Sequence, residues 1–150
     1  MDIKSKEERS RNMAKIRAKD TKPEVFVRSL LHRNGFRFRV ADARIFGKPD
    51  LYFSKKQVAI FIHGCYWHRH PDCKYAYTPK SNVDFWQKKF DANVTRDKMV
   101  KSHLLESGIR ILIIWECTIK KMMRDDGIAK NLLLDIIAFL LNSEIDYLEL

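Results

Sequence analysis

The run "IRILIIW" (residues 109–115) constrains this chain more than any other stretch. A strand with one wet face alternates apolar and polar residues. From Ile111 to Trp115 there is no alternation, so both faces of this strand must be covered. "QVAIFI" (57–62) has the same character and follows "DLYF" (50–53) after a polar turn at residues 54–56. A sheet covered on both faces needs two layers of helices, and three helical patterns supply them. "TKPEVFVRSLLHRNG" (21–35) has Thr21 as cap, Pro23 in its first turn, and Gly35 as a stop. Phe26, Val27, Leu30 and Leu31 form its apolar side. A longer pattern runs from residue 81 or 82 to 107, with Phe85, Trp86, Phe90, Val94, Val100 and Leu104 inward. "IAKNLLLDIIAFLLN" (128–142) is apolar nearly all round and reads as well buried. "FRFRV" (36–40) alternates and reads as a first, half-buried strand. The order α–β–β–β–loop–α–β–α predicts a three-layer α/β/α sandwich around a small mixed sheet, its early strands a meander.

Residues 1–20 are polar and basic with weak periodicity, and read as an N-terminal arm ahead of a single domain over 21–150. The net charge is +10, and residues 1–100 carry 23 Lys/Arg against 11 Asp/Glu. Such asymmetry suits a polyanionic partner, most simply nucleic acid. There is no apolar run of membrane-spanning length and no secretory leader, so the expectation is a cytoplasmic protein without a membrane partner.

The chemistry concentrates in "AIFIHGCYWHRHPDC" (59–73). Three cysteines are too few, and odd in number, for a disulfide framework. Cys65, His70 and Cys73 have the spacing C-x4-H-x2-C, and Cys117 follows the central strand, where a sheet can bring it alongside. Together they fit a closed Cys3His structural zinc site, with His68 the alternative to His70 on spacing. Its role would be to fix the irregular loop 63–80. His63 and His68 then remain for proton transfer near neutral pH. Asp50 starts the strand next to the one ending at His63. A carboxylate with a backbone carbonyl is a fair start for Mg²⁺, which suits phosphodiester hydrolysis. Glu24 can join this centre, although the residues alone favour it as capping-box partner of Thr21.

These residues resemble a known family. "GKPDLYF…VAIFIHGCYWHRHPDC…FW…NVTRD…RILIIWEC" is similar to the very-short-patch repair (Vsr) DNA mismatch endonucleases, and the likeness extends from "RSRNMAKIRAKDTKPE" to about residue 120. It implies a restriction-endonuclease-like PD-(D/E)xK variant that uses Mg²⁺ to nick duplex DNA on the 5′ side of the thymine in a T/G mismatch. It implies Asp50 and the backbone carbonyl of Ile62 as Mg²⁺ ligands, His63 and His68 as active-site histidines, and Glu24 as an acid beside them. Cys65, His70, Cys73 and Cys117 match its zinc ligands. This chain has Ile62 where better-known members have Thr, and one more residue between His70 and Cys73. The usual acid and lysine of the wider nuclease group are missing from strand 57–62, as in the rest of this branch.

The resemblance further implies that Tyr66, Trp67 and Trp86 wedge into the base stack beside the mismatch. A mismatched step is cheaper to unstack. The arm, with Arg9, Arg11, Lys15, Arg17 and Lys19, would clamp the duplex. Arg37, Arg39, Lys88 and Lys89 are candidate phosphate contacts. A monomer suits an asymmetric lesion. Mismatch-repair proteins are implied partners, and the nucleoid the place of action. The residues also fit a nuclease with another target, or a zinc-stabilised DNA-binding module without catalysis.

Overall fold

A computed structural model describes residues 20–150; the arm residues Arg9, Arg11, Lys15, Arg17 and Lys19 lie outside the described residues. In chain order the elements are α1 (Lys22–Arg33), β1 (Arg39–Val40), β2 (Leu51–Phe53), β3 (Val58–His63), α2 (Val83–Glu106), β4 (Arg110–Trp115), α3 (Glu116–Arg124), α4 (Asp126–Leu141) and β5 (Tyr147–Glu149). The sheet order is β1-β2-β3-β4-β5. The first three strands form the expected antiparallel meander. β3, β4 and β5 run parallel, so the sheet is mixed.

All six residues of β4 are buried, as its unbroken apolar run requires. Parallel pairing from Val58–Arg110 to His63–Trp115 keeps alternate residues of β3 and β4 on common faces. Val58, Ile60, Leu112 and Ile114 pack with Val27 and Leu31 of α1, Ile119 and Met122 of α3, and Ile136, Phe139 and Leu140 of α4. Ala59, Phe61, Ile111, Ile113 and Trp115 pack on the other face with Leu104 of α2 and Cys65. That is the α/β/α sandwich. This parity also decides the site: His63, two residues after Phe61, falls on the face of α2 and the loop.

The turn from α2 into β4 is set by Gly108 (φ +80). Its N–H donates to the Leu105 carbonyl and Ile109 N–H to the Leu104 carbonyl, closing a Schellman motif. Arg110 is buried in β4, and its guanidinium donates to the carbonyls of Phe139 (2.7 Å), Leu140 (3.3 Å), Asn142 (2.8 Å) and Ile145 (3.3 Å). Two of these carbonyls, Phe139 and Leu140, are ones that the end of α4 leaves free.

Five expectations change, one being Phe85 of α2, placed inward from the sequence and 61% exposed in the fold. Only Arg39–Val40 of "FRFRV" joins the sheet. α3 and β5 were not expected. α4 is not buried all round: Leu134 and Leu141 are 64% and 66% exposed, and only one side enters the core. Among the described residues no helix is long and apolar enough to cross a membrane.

Candidate active site and metal-binding loop

Asp50 stands at the entrance of β2, and its Oδ2 accepts the Ile62 N–H of β3 at 2.7 Å. Burial pushes the Asp50 carboxyl up to about 6, against the effect of that bond, and the charge of Glu24 adds to the rise. Glu24 is buried at the start of α1, where Thr21 Oγ1 accepts its N–H at 3.4 Å. The carboxylate is engaged by Arg28 Nη2 (3.2 Å), one turn on, and Arg28 Nη1 also holds Asp20 at 2.8 Å. Glu24 thus keeps the backbone half of the capping box, while its carboxylate turns to Arg28 and lines the same cleft as Asp50.

His63 ends β3 and His68 comes back from the loop. Their rings stack at 3.9 Å with planes 4° apart. Nδ1 of His68 lies 2.7 Å from Oδ2 of Asp97 on α2. The ligand atoms of His63, His68 and Asp97 lie within 4.8 Å of one another, close enough for a metal. The ring planes argue for another use. An imidazole lone pair lies in its ring plane, and one ion cannot lie in two parallel stacked planes. The Asp97 carboxylate can only accept, so His68 donates Nδ1–H to it, and the Nε2 of a neutral ring is then the free acceptor. Burial, and then the neighbouring His68, lower the His63 pKa to about 3, so His63 is neutral at neutral pH. Glu24, Asp50, Ile62, His63, His68 and Asp97 line one cleft of about 590 Å³.

The second cluster joins Cys65, His70, Cys73 and Cys117, whose ligand atoms also lie within 4.8 Å of one another. His70 Nδ1 is 3.6 Å from Cys65 Sγ and 3.5 Å from Cys117 Sγ. The Cys117 N–H donates to Cys65 Sγ at 3.4 Å. His70, not His68, completes the set, so the longer spacing to Cys73 still closes. Three thiols and one imidazole at the corners of so small a volume fit tetrahedral zinc. Burial pushes the Cys65 thiol up to about 12. Trp115 stacks on His70 at 4.2 Å and meets His63 edge-on at 5.3 Å, coupling the two clusters through one ring.

The loop is fastened to α2 as well. Arg69 donates to the carbonyls of Tyr66, Ala76 and Tyr77 and to Thr78 Oγ1, and its guanidinium carbon lies 3.9 Å from the Phe90 ring centre. Tyr66, Trp67 and Trp86 form one partly exposed cluster, with centroids 4.9 Å (Tyr66–Trp67), 5.9 Å (Trp67–Trp86) and 6.0 Å (Tyr66–Trp86) apart. Asn93 of α2 donates to the Trp67 carbonyl at 3.0 Å, so the same helix anchors this aromatic cluster.

Sequence reasoning assigned no role to Asp97, Arg69 or Trp115. Asp97 did leave a signal. On α2 it follows Trp86, Phe90 and Asn93 at helical spacing, an acid on the inward face.

An α/β/α sandwich carrying an acid and paired histidines at adjacent strand ends belongs to the restriction-endonuclease-like nucleases. The profile of the family described as "DNA mismatch endonuclease Vsr" matches residues 1–75. The chain is 44% identical to "Type II nicking enzyme V.NmeAIP" of Neisseria meningitidis over 79% of this chain and 84% of that one. It is 38% identical to "DNA mismatch endonuclease Vsr" of Escherichia coli K12 over 87% and 85%. Against "Type II nicking enzyme V.XorIIP" of Xanthomonas oryzae pv. oryzae the identity is 37% over 88% and 96%. The chain belongs to the Vsr DNA mismatch endonuclease family and is a hydrolase that nicks DNA.

Proposed function

We propose that this protein nicks one strand of duplex DNA on the 5′ side of the thymine in a T/G mismatch, with Mg²⁺ at Asp50 and zinc in the loop. One observation carries the reading. The cleft holding Asp50, His63 and His68 is lined in part by His68, Arg69 and Pro71, on the same loop that carries Tyr66 and Trp67. A wedge beside the cleft sets the mismatched step against the cutting groups, and the lower stacking energy of that step selects it.

The Asp50 carboxylate and the main chain of Ile62 would hold the cation, with Glu24 beside them. The fit rests on Asp50, whose ionisation is made costlier by burial and then by the charge of Glu24, a cost that a cation relieves. When bound, the cation supplies polarisation of the phosphodiester and a more acidic water. His68 accepts the proton of the attacking water at Nε2 while Asp97 stabilises the resulting imidazolium. His63, neutral and stacked on His68, excludes water from one of its ring faces. Cys65, His70, Cys73 and Cys117 hold the loop and take no part in the chemistry. The chain acts as a monomer, and the basic arm 1–20 closes on the duplex.

The test compares T/G-mismatched and matched duplexes in parallel, with Mg²⁺ and with chelator-treated buffer. Mg²⁺-dependent nicking of the mismatched duplex alone is expected. Equal cutting of both duplexes would sink the mismatch assignment, and cutting without divalent cation would sink the Mg²⁺ assignment.

A further inference from the structure

The loop before β2 brings a cation to the cleft that none of the roles above uses. Lys48 lines it together with Asp50, His63 and His68. Its backbone is left-handed (φ 49), a conformation that suits Gly, Asn or Asp and for which lysine has no aptitude. The next residue, Pro49, restricts it further. The loop has no room to relax. A Cβ on Gly47 (φ +81) would stand 2.5 Å from Val100 Cγ1 of α2. On the other side, the Lys48 N–H closes the turn by donating to the Ile45 carbonyl at 2.9 Å. Strain of this kind, held from two sides, collects at functional sites.

The Lys48 ammonium has no hydrogen-bond or ion-pair partner among the described residues. The two nearby acids are engaged, Glu24 by Arg28 and Asp50 by the Ile62 N–H. An unpaired cation on the lip of a cleft that also holds acids is suited to an anionic substrate.

We propose that Lys48 is a further catalytic residue, its ammonium contacting a non-bridging oxygen of the scissile phosphodiester. The inference rests on the nuclease reading above. In the step, the water oxygen bonds to phosphorus and gives up its proton to His68. The bond to the leaving ester oxygen breaks with its electron pair, and that oxygen takes up a proton from solvent water. Lys48 keeps its own proton throughout and stabilises the charge that builds on the phosphoryl oxygens.

Single-turnover nicking of a T/G duplex at saturating protein separates this from a structural role. Lys48→Met and Lys48→Gly should each lose roughly 100-fold in rate, and Lys48→Arg should recover most of it. Duplex affinity should change by no more than about threefold. The glycine variant should melt no lower than wild type, because glycine adopts the left-handed backbone without strain. A purely structural Lys48 predicts the reverse, with the glycine variant nicking fastest of the three. Met and Gly variants that nick at the rate of an active wild type overturn the inference alone. A wild type that nicks no duplex overturns the nuclease reading and this inference with it.

Discussion

His68 Nδ1 and Asp97 Oδ2 lie 2.7 Å apart although 29 positions separate them in the chain. One comes from the loop that carries the Cys/His cluster and the other from α2. The bond therefore depends on both the loop fold and the helix register. Asp97→Asn keeps the shape and removes the charge that stabilises a protonated His68. Nicking should fall on the order of 100-fold with duplex affinity unchanged. Single-turnover rates with anisotropy titrations measure both. An unchanged rate would show that His68 works without Asp97.

Asp50 gives a pH signature with a definite sign. Its folded pKa lies above the ordinary value of 3.8, at about 6. The folded state binds the extra proton, so Asp50 costs stability as pH rises through that window, by up to about 3 kcal/mol. His63 runs the other way. Its folded pKa is depressed to about 3, so its contribution is present above its ordinary 6.5 and is lost as pH falls toward 3. The two offset one another in wild type, and only a difference between variant and wild type isolates either. Asp50→Asn keeps an acceptor for the Ile62 N–H and removes the charge. Without added Mg²⁺ it should melt above wild type at pH 7, by up to about 10 °C, and level with it at pH 4. It should not nick. A variant that melts below wild type at pH 7 would mean that burial does not dominate at Asp50.

Cys117 tests the metal loop from outside the cleft. Cys117→Ser removes one thiolate from the set of four. Bound zinc should fall from about one per chain toward none, with a lower Tm and weaker nicking. Metal analysis beside thermal melts decides it. Full zinc content in the folded variant would contradict the assigned ligand set.

Much of this was legible in the sequence because its signals were local. The unbroken run ending at Trp115 announced a doubly covered strand, and the Cys/His spacing announced the cluster. What was not legible depends on tertiary neighbours. α3 spans only nine residues, starts straight from β4 without a side-chain cap, and buries just Ile119 and Met122. β5 is three residues long, and its middle residue, Leu148, pairs with Leu112 on β4. The exposed side of α4 carries leucines, so its pattern imitates a fully buried helix. Glu24 sits where a capping box would, and only the fold shows its carboxylate turned to Arg28 and the Asp50 centre.

Arg69 gives the sharpest test of whether the loop's rigidity serves recognition. Its guanidinium joins the two limbs of the loop, Tyr66 on one and Ala76, Tyr77 and Thr78 on the other. It also lies over the ring of Phe90, a buried residue of α2. Lysine at this position keeps the charge but cannot reproduce a planar fork with several donors. Arg69→Lys should cost about 2 kcal/mol of stability. Zinc should stay bound, since no metal ligand changes. The proposed wedge of Tyr66 and Trp67 would be held less firmly, so the rate ratio between T/G and matched duplexes should drop about tenfold. Cutting of the T/G duplex should continue. Parallel nicking rates on the two duplexes, with metal analysis of the same sample, decide the matter. Loss of zinc would make Arg69 a support of the metal loop alone, and an undiminished ratio would separate the wedge from the clamp that holds it.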